Sequence, residues 1–130
     1  MTIAEVSKKY DITPDTLRYY ERIGLLSNVP RSESGIRNYD EKACRRIEFV
    51  KCMRSAGVEI EILIEYMDLL SKGKNTVKAR KSLLEEQREK LLEKQKNITA
   101  TLERLNYKIN LYDEIVSGKR KDFTENVGGV

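Results

Sequence analysis

TPDTLRYYERIGLL, residues Thr13 to Leu26, sets the reading of the whole chain. Thr13 is a good N-cap and Pro14 suits the first helical position, where its missing N–H costs nothing. Gly24 supplies the stop. Neighbouring residues on a helix point about 100° apart, so Tyr19 and Tyr20 cannot both face a core. Leu17 and Tyr20 are assigned inward, and Arg18 and Tyr19 outward.

Upstream, Thr2-Ile-Ala-Glu5 has the form of a capping box, with Glu5 reaching back to the cap. It predicts a first helix from Thr2 to about Tyr10, burying Ile3, Val6 and Tyr10. Asp11-Ile12 is left as a tight turn, with Ile12 plugging inward. Two short helices joined this way read as a helix-turn-helix, whose second helix, here Pro14 to Ile23, enters a DNA groove.

Downstream, SNVPRSESGIRN (residues 27–38) breaks helical periodicity with Pro30 and a Ser-Glu-Ser-Gly turn. It predicts a small β-hairpin, or wing, with Arg31 and Arg37 on its arms. A third helix is expected from an N-cap at Asp40 to Ala56, stopped by Gly57. A fourth is expected from Glu59 to Ser71, with an apolar stripe of Ile60, Leu63, Ile64, Met67 and Leu70. The fifth runs from about Thr76 to Ser117, roughly 60 Å at 1.5 Å per residue. There Ile98, Leu102, Leu105, Ile109, Tyr112 and Val116 recur at alternate spacings of four and three, a coiled-coil seam. Leu91, Leu84 and Val77 extend one row backward, whereas Lys81, Arg88 and Gln95 fill the other. A seam that its own small domain cannot bury requires a partner, most simply a second copy.

The expected fold is mainly all-α: a winged helix-turn-helix DNA-binding domain with helices three and four (residues 1–73), then a coiled-coil dimerisation helix (74–117). A loose tail (118–130) follows. The totals agree with such a protein. Charged residues are 35% and hydrophobic ones 39% of 130, with net charge +4. Residues 1–57 carry eleven basic against eight acidic side chains, so a phosphate-facing surface belongs in this half. No apolar run reaches the roughly 18 residues of a membrane span, and the first residues read as a helix start rather than a signal peptide. Cytoplasmic localisation is the expectation. With no His and two Cys, a metal site within one chain is not expected, and no cofactor is implied. Cys44 and Cys52 lie eight residues apart on one helix, roughly 12 Å. A disulfide needs Cα atoms within about 7 Å, so the two cannot bridge each other there.

In this order, IAEVSKKYDITPDTLRYYERIGLL, a wing ending GIRNYD and the helix IEFVKCMRSAG resemble the MerR family of bacterial transcription regulators. The resemblance extends to about residue 117. Its RYYE-x-x-G-L-L and G-x-R-x-Y elements are specific when they occur together. Within the family the chain is most similar to the aldehyde- and electrophile-responsive AdhR/NmlR branch, whose short members lack metal-binding cysteines and a large drug-binding domain. That branch carries a cysteine in an F-x-K-C-M-R context, here Phe49 to Arg54 with Cys52 at its centre. Cys44 lies outside the motif, and which thiol reacts stays open.

The resemblance implies a homodimer through residues 76–117, paired as an antiparallel coiled coil and acting at promoters whose −35 and −10 elements are too far apart. Bending and undertwisting the DNA would bring them into register for RNA polymerase. It places Arg18 and Tyr19 at base and phosphate contacts. Thr13 and Thr16 stand at the groove end of the second helix; plain capping is the alternative for both. Arg31 and Arg37 are assigned to phosphates, against a merely solvated hairpin. Tyr39 is expected to pack beneath the wing with its hydroxyl on a phosphate. Thr2 is expected to offer its backbone N–H to another.

Cys52 is the sensor candidate, with Lys51, Arg54 and Arg45 near enough in sequence to favour the reactive thiolate. Its modification would shift helix three against helices four and five. The plain alternative is a small buried hydrophobe. Oxidation through an intersubunit disulfide, or a non-covalent or absent effector, are the other readings for a regulator. A thiol enzyme would need a base such as His, which the chain lacks. A coiled-coil adaptor would leave the capped second helix and the wing arginines without purpose.

Overall fold

The computed structural model describes residues 1–121. Five α-helices follow in order: α1 (Ile3–Tyr10), α2 (Pro14–Arg22), α3 (Glu41–Ser55), α4 (Ile60–Ser71) and α5 (Val77–Val116). A single 3-10 turn, Lys74–Thr76, leads into α5. The chain divides into two units, Met1–Gln87 and Arg88–Val130. The first unit therefore takes in the opening turns of α5.

The caps form as their residue types dictate. Glu5 N donates to Thr2 Oγ1 at 3.2 Å and Thr2 N to Glu5 Oε1 at 2.9 Å. This box starts α1, and Asp11 ends it in the left-handed region at φ 53°. A short Asx side chain tolerates that conformation better than most. In α2, Thr16 N donates to Thr13 Oγ1 at 3.2 Å behind Pro14. After Arg22 the chain turns through Gly24 at φ 93°, a conformation that glycine adopts without strain. Leu25 N and Leu26 N both reach back to Tyr20 O.

One apolar cluster joins these pieces. Val6 and Tyr10 of α1, Leu17 of α2, and Ala43 and Ile47 of α3 meet Leu26, Val29 and Tyr39 from the intervening loops. Ile3, Ile12, Tyr20 and Cys44 pack against it. Leu17 is the one residue that α2 buries fully, so the orientation of α2 depends on it. Further along, α4 buries Leu63 and Met67, and the Tyr66 ring lies 5.2 Å from that of Phe49 on α3.

The wing departs from the expected hairpin. Among the described residues there is no strand, only one antiparallel bridge, Arg31 to Arg37. Ser32 N to Ile36 O (2.7 Å) and Asn38 N to Pro30 O (2.7 Å) flank it, and Gly35 closes the turn at φ 82°. The arms are too short for a ladder because Pro30 cannot donate and Tyr39 is already drawn into the core.

At the start of α5, Thr76, Arg80, Leu83 and Gln87 face inward, a stripe separate from the seam. Val77 and Leu84, on the row that extends the seam backward, are exposed. Thr76 Oγ1 donates to Leu69 O at 2.8 Å, and Arg80 Nε donates to Thr76 Oγ1 at 3.0 Å. In the second half, Ile98, Leu102, Leu105, Ile109, Tyr112 and Val116 are all exposed. Past Val116 the chain folds back: Lys119 N and Arg120 N donate to Glu114 O. Most of the expected loose tail lies outside the described residues.

Candidate nucleic-acid interface

The outer face of α2 carries the side chains assigned to DNA. Arg18 is about half exposed and its Nη1 rests on Asp15 Oδ1 at 3.0 Å, within the same helical turn. Tyr19 is 41% exposed, while Tyr20 turns in against the core with its ring 6.2 Å away. Adjacent tyrosines thus divide between surface and interior. The Arg22 guanidinium lies 5.4 Å from the Tyr19 ring, a cation–π contact that sequence reading overlooked. Thr13 and Thr16 share a hydroxyl–hydroxyl hydrogen bond of 2.8 Å at the start of the helix. Thr13 is the N-cap and Thr16 the residue whose N–H it accepts, and a DNA contact would add to those roles.

The wing arginines converge on one acid. Glu21, on the last turn of α2, receives Arg31 Nη2 on Oε1 at 3.2 Å and Arg37 Nε on Oε2 at 2.5 Å. Arg31 Nη1 also donates to Gly35 O at 3.3 Å. The hydrogen bond to Glu21 holds the Arg37 guanidinium pKa above its ordinary value, against the opposing effect of burial. Glu21 is the acid of the RYYE-x-x-G-L-L element, but the sequence assigns it no contact. At spacing i, i+3 from Arg18 it reads as an ordinary helix-surface partner, and only the fold turns it toward the wing.

Two assigned residues are placed differently from expectation. Tyr39 is only 2% exposed, and its hydroxyl is buried without a hydrogen-bond partner. The phenol belongs to the core, and burial raises its pKa. The hydroxyl does not reach the surface where a phosphate would lie, although it stands in the field of Arg37, Glu21, Arg18 and Arg31. Tyr39→Phe should therefore leave stability unchanged or raise it by up to about 1 kcal/mol, since an unsatisfied buried hydroxyl is removed without loss of packing. Urea denaturation followed by circular dichroism checks this; a clear loss of stability would mean that the hydroxyl has a partner. Thr2 differs as well. Its N–H is already held by the Glu5 carboxylate, whose pKa that hydrogen bond lowers. A phosphate there would have to displace a negative charge.

The thiols differ in access. Cys52 is exposed near the C-terminal end of α3, and Cys44 is half-buried against the core with Sγ 4.0 Å from Met1 Sδ. The basic side chains expected beside Cys52 are directed elsewhere. Lys51 Nζ donates to Tyr10 O, Arg54 Nη1 to Val58 O at 2.8 Å, and Arg45 Nη1 pairs with Glu41 at 2.8 Å. Each long side chain finds a backbone or helix-surface partner on its own side of α3. Beside Cys44, Tyr10 donates to Glu48 Oε1 at 3.2 Å, and burial, with Cys44 and Glu48 adding, pushes that phenol up to about 12. The structure has an open cleft of about 500 Å³ lined by Ile23, Ile64 and Met67, with Glu61, Glu65 and Asp68 also on its walls. Those carboxylates make it unsuited to phosphate. Among the described residues no three His, Cys, Asp or Glu side chains cluster as metal ligands would.

A capped second helix with Arg18 and Tyr19 outward, followed by an arginine-bearing wing, matches the family model for MerR HTH family regulatory proteins over residues 1–70. The chain belongs to the MerR family. Its relatives are transcriptional regulators, not enzymes. Among MerR relatives, the HTH-type transcriptional regulator AdhR of Bacillus subtilis (strain 168) is 54% identical over 93 residues. That match covers 72% of this chain and 66% of AdhR, just under two thirds of its length. A MerR family transcriptional regulator from Listeria monocytogenes superposes with a TM-score of 0.87 at 38% identity, covering 100% of this chain and 99% of that one. HiNmlR, a MerR family regulator lacking the sensor domain and solved bound to promoter DNA, has a TM-score of 0.82 at 28% identity. It covers 89% of this chain and 92% of its own.

Proposed function

We propose that this MerR-family regulator binds promoter DNA as a homodimer. In this reading it activates promoters with overlong spacers by distorting the operator, and carbonyl electrophiles switch it through Cys52. The observation that carries the DNA-binding part is α2 itself. Leu17 fixes one face in the core, Arg18 and Tyr19 stand exposed, and Glu21 on the last turn ties the two wing arginines to the same helix. Thr13, Thr16, Arg18 and Tyr19 serve the groove, and Arg31 and Arg37 the phosphates. Tyr39 supports the wing from beneath, and Thr2 serves as a cap.

Two domains held at a fixed separation make the pairing helix a ruler. The exposed seam from Ile98 to Val116 is its substance, and RNA polymerase at the same promoter is the partner that reads the distortion. The cytoplasm is where such promoters and polymerase meet.

Exposure favours Cys52 over Cys44 as the reacting thiol, and the resemblance to the aldehyde-responsive branch favours this chemistry. With an α,β-unsaturated carbonyl, the thiolate sulfur bonds the β-carbon, the C=C π pair moves toward the carbonyl, and water returns a proton to the α-carbon. The expected result is a single mass increase on the intact chain, mapped to Cys52. A promoter reporter should lose induction with Cys52→Ala and keep it with Cys44→Ala. A fully inducible Cys52→Ala protein would sink the thiol reading of Cys52, and a silent Cys44→Ala would move the sensor to the half-buried thiol.

A further inference from the structure

Glu21 is more buried than the two arginines it holds. Its side chain is 19% exposed, against 26% for Arg37 and 45% for Arg31. A carboxylate that merely occupied a phosphate's place would lie on the solvent side of the guanidiniums. This one lies beneath them. Each guanidinium has five N–H donors. Arg37 gives Glu21 its Nε–H, and Arg31 gives one N–H to Glu21 and one to Gly35 O. Each guanidinium has further N–H donors beyond these bonds, and part of each side chain remains exposed.

The two arginines are also the bridged pair of the wing, the one place where its arms meet in register. A single carboxylate on α2 therefore fixes both arms at once. At the base of the wing, Val29 and Tyr39 pack in the cluster that holds Leu17, and Met1 bonds Asn38 and Tyr39. Between those two ends, the polar link from the arms to α2 is the one through Glu21.

We propose that Glu21 is a positioning residue for DNA recognition. Its carboxylate holds Arg31 and Arg37, and with them the wing, at one offset from α2. Wing contacts to phosphate and α2 contacts to bases then fall in register on the same duplex. The proposal rests on the reading of the wing arginines as phosphate contacts. It has a sign that simple electrostatics does not share. Removing a negative charge near DNA tightens binding to any sequence. Removing a positioning group weakens binding to the right sequence alone, because freed arginines must be ordered again on each encounter.

The test uses the full chain and two duplexes of equal length, one selected by the wild-type protein from a random pool and one scrambled. Binding is measured by fluorescence anisotropy over a range of KCl concentrations. Glu21→Ala should weaken the selected duplex by about tenfold or more, while the scrambled duplex binds unchanged or up to about threefold tighter. Glu21→Gln, nearly isosteric and able to accept from one arginine only, should fall between. It carries the test should the alanine variant fold poorly. In the Glu21→Ala background, Arg37→Ala should cost clearly less than in the wild type. A purely structural role would lower the melting temperature and weaken both duplexes alike, and would overturn the proposal. Equal or tighter binding to both duplexes would also overturn it, making Glu21 a competitor of phosphate. If Arg31→Ala and Arg37→Ala leave affinity and salt slope untouched, the phosphate reading of the wing is what fails. Each phosphate contact otherwise contributes about 0.9 to that slope.

Discussion

Leu17→Ala is expected to remove about 3 to 5 kcal/mol of stability from the first unit, the upper part of the range for a buried leucine. Leu17 has no exposed surface, and it is the residue through which α2 is fixed to Val6, Tyr10 and Ile47. Truncation leaves a cavity between three short helices whose caps hold their ends in place, so collapse around it is limited. A domain of this size has only about 5 to 15 kcal/mol in total, so a large part of its margin disappears. The urea midpoint followed at 222 nm should fall sharply, and operator binding should fall with the folded fraction. Arg18→Ala is the contrasting variant. Its pair with Asp15 is solvent-exposed and contributes little to stability. It should melt like the wild type yet lose operator affinity. If Leu17→Ala melted within about 1 kcal/mol of the wild type, α2 would be held by something other than this core.

The same pair of residues shows what the sequence made legible. Thr2 with Glu5, Thr13 with Pro14, and Asp40 before α3 are local signals, in which the partner lies three residues away. Each forms a cap in the structure. The split between Tyr19 and Tyr20 follows from helical geometry alone. Contacts made across the fold were not legible. Glu21 has its sequence neighbour Arg18 at helical spacing, yet its charge is taken by Arg31 and Arg37, ten and sixteen residues on. The hydroxyl of Tyr39 was read as a surface group because tyrosine is amphipathic, whereas the short wing arms pull its whole ring into the core. The inward stripe at the start of α5 escaped for another reason. Thr76, Arg80 and Gln87 are polar, so apolar periodicity does not mark them; Thr76 is held by hydrogen bonds to Leu69 O and Gly73 O and accepts from Arg80, and Gln87 is buried by packing alone at its Nε2. For the thiols, sequence proximity of Lys51 and Arg54 to Cys52 misled, because a side chain several bonds long can turn to any neighbour on its side of the helix.

Leu102→Asp combined with Leu105→Asp is expected to turn the proposed dimer into a monomer and to lower operator affinity by about 100-fold or more. The two leucines are 53% and 52% exposed within one chain, near the middle of a seam that extends from Ile98 to Val116. Spacing along that seam reads four, three, four, three, four, which is the same in either direction. In an antiparallel pair with its two-fold axis beside Tyr107, Ile98 meets Val116, Leu102 meets Tyr112, and Leu105 meets Ile109. Every apolar residue of one copy then faces an apolar residue of the other. Carboxylates at 102 and 105 would be buried unpaired at four of these positions, which a two-stranded seam cannot tolerate. Loss of DNA affinity follows from linkage. Once one domain of a dimer is bound, the second meets its half-site at an effective concentration near millimolar, which raises overall affinity by about 10² to 10⁴. A monomer forfeits that gain, while Leu17 and the rest of the first core are untouched. Sedimentation equilibrium at micromolar protein gives the mass, and anisotropy on the selected duplex gives the affinity. A doubly substituted chain that stays dimeric and binds as the wild type does would place the dimer contact elsewhere on the molecule.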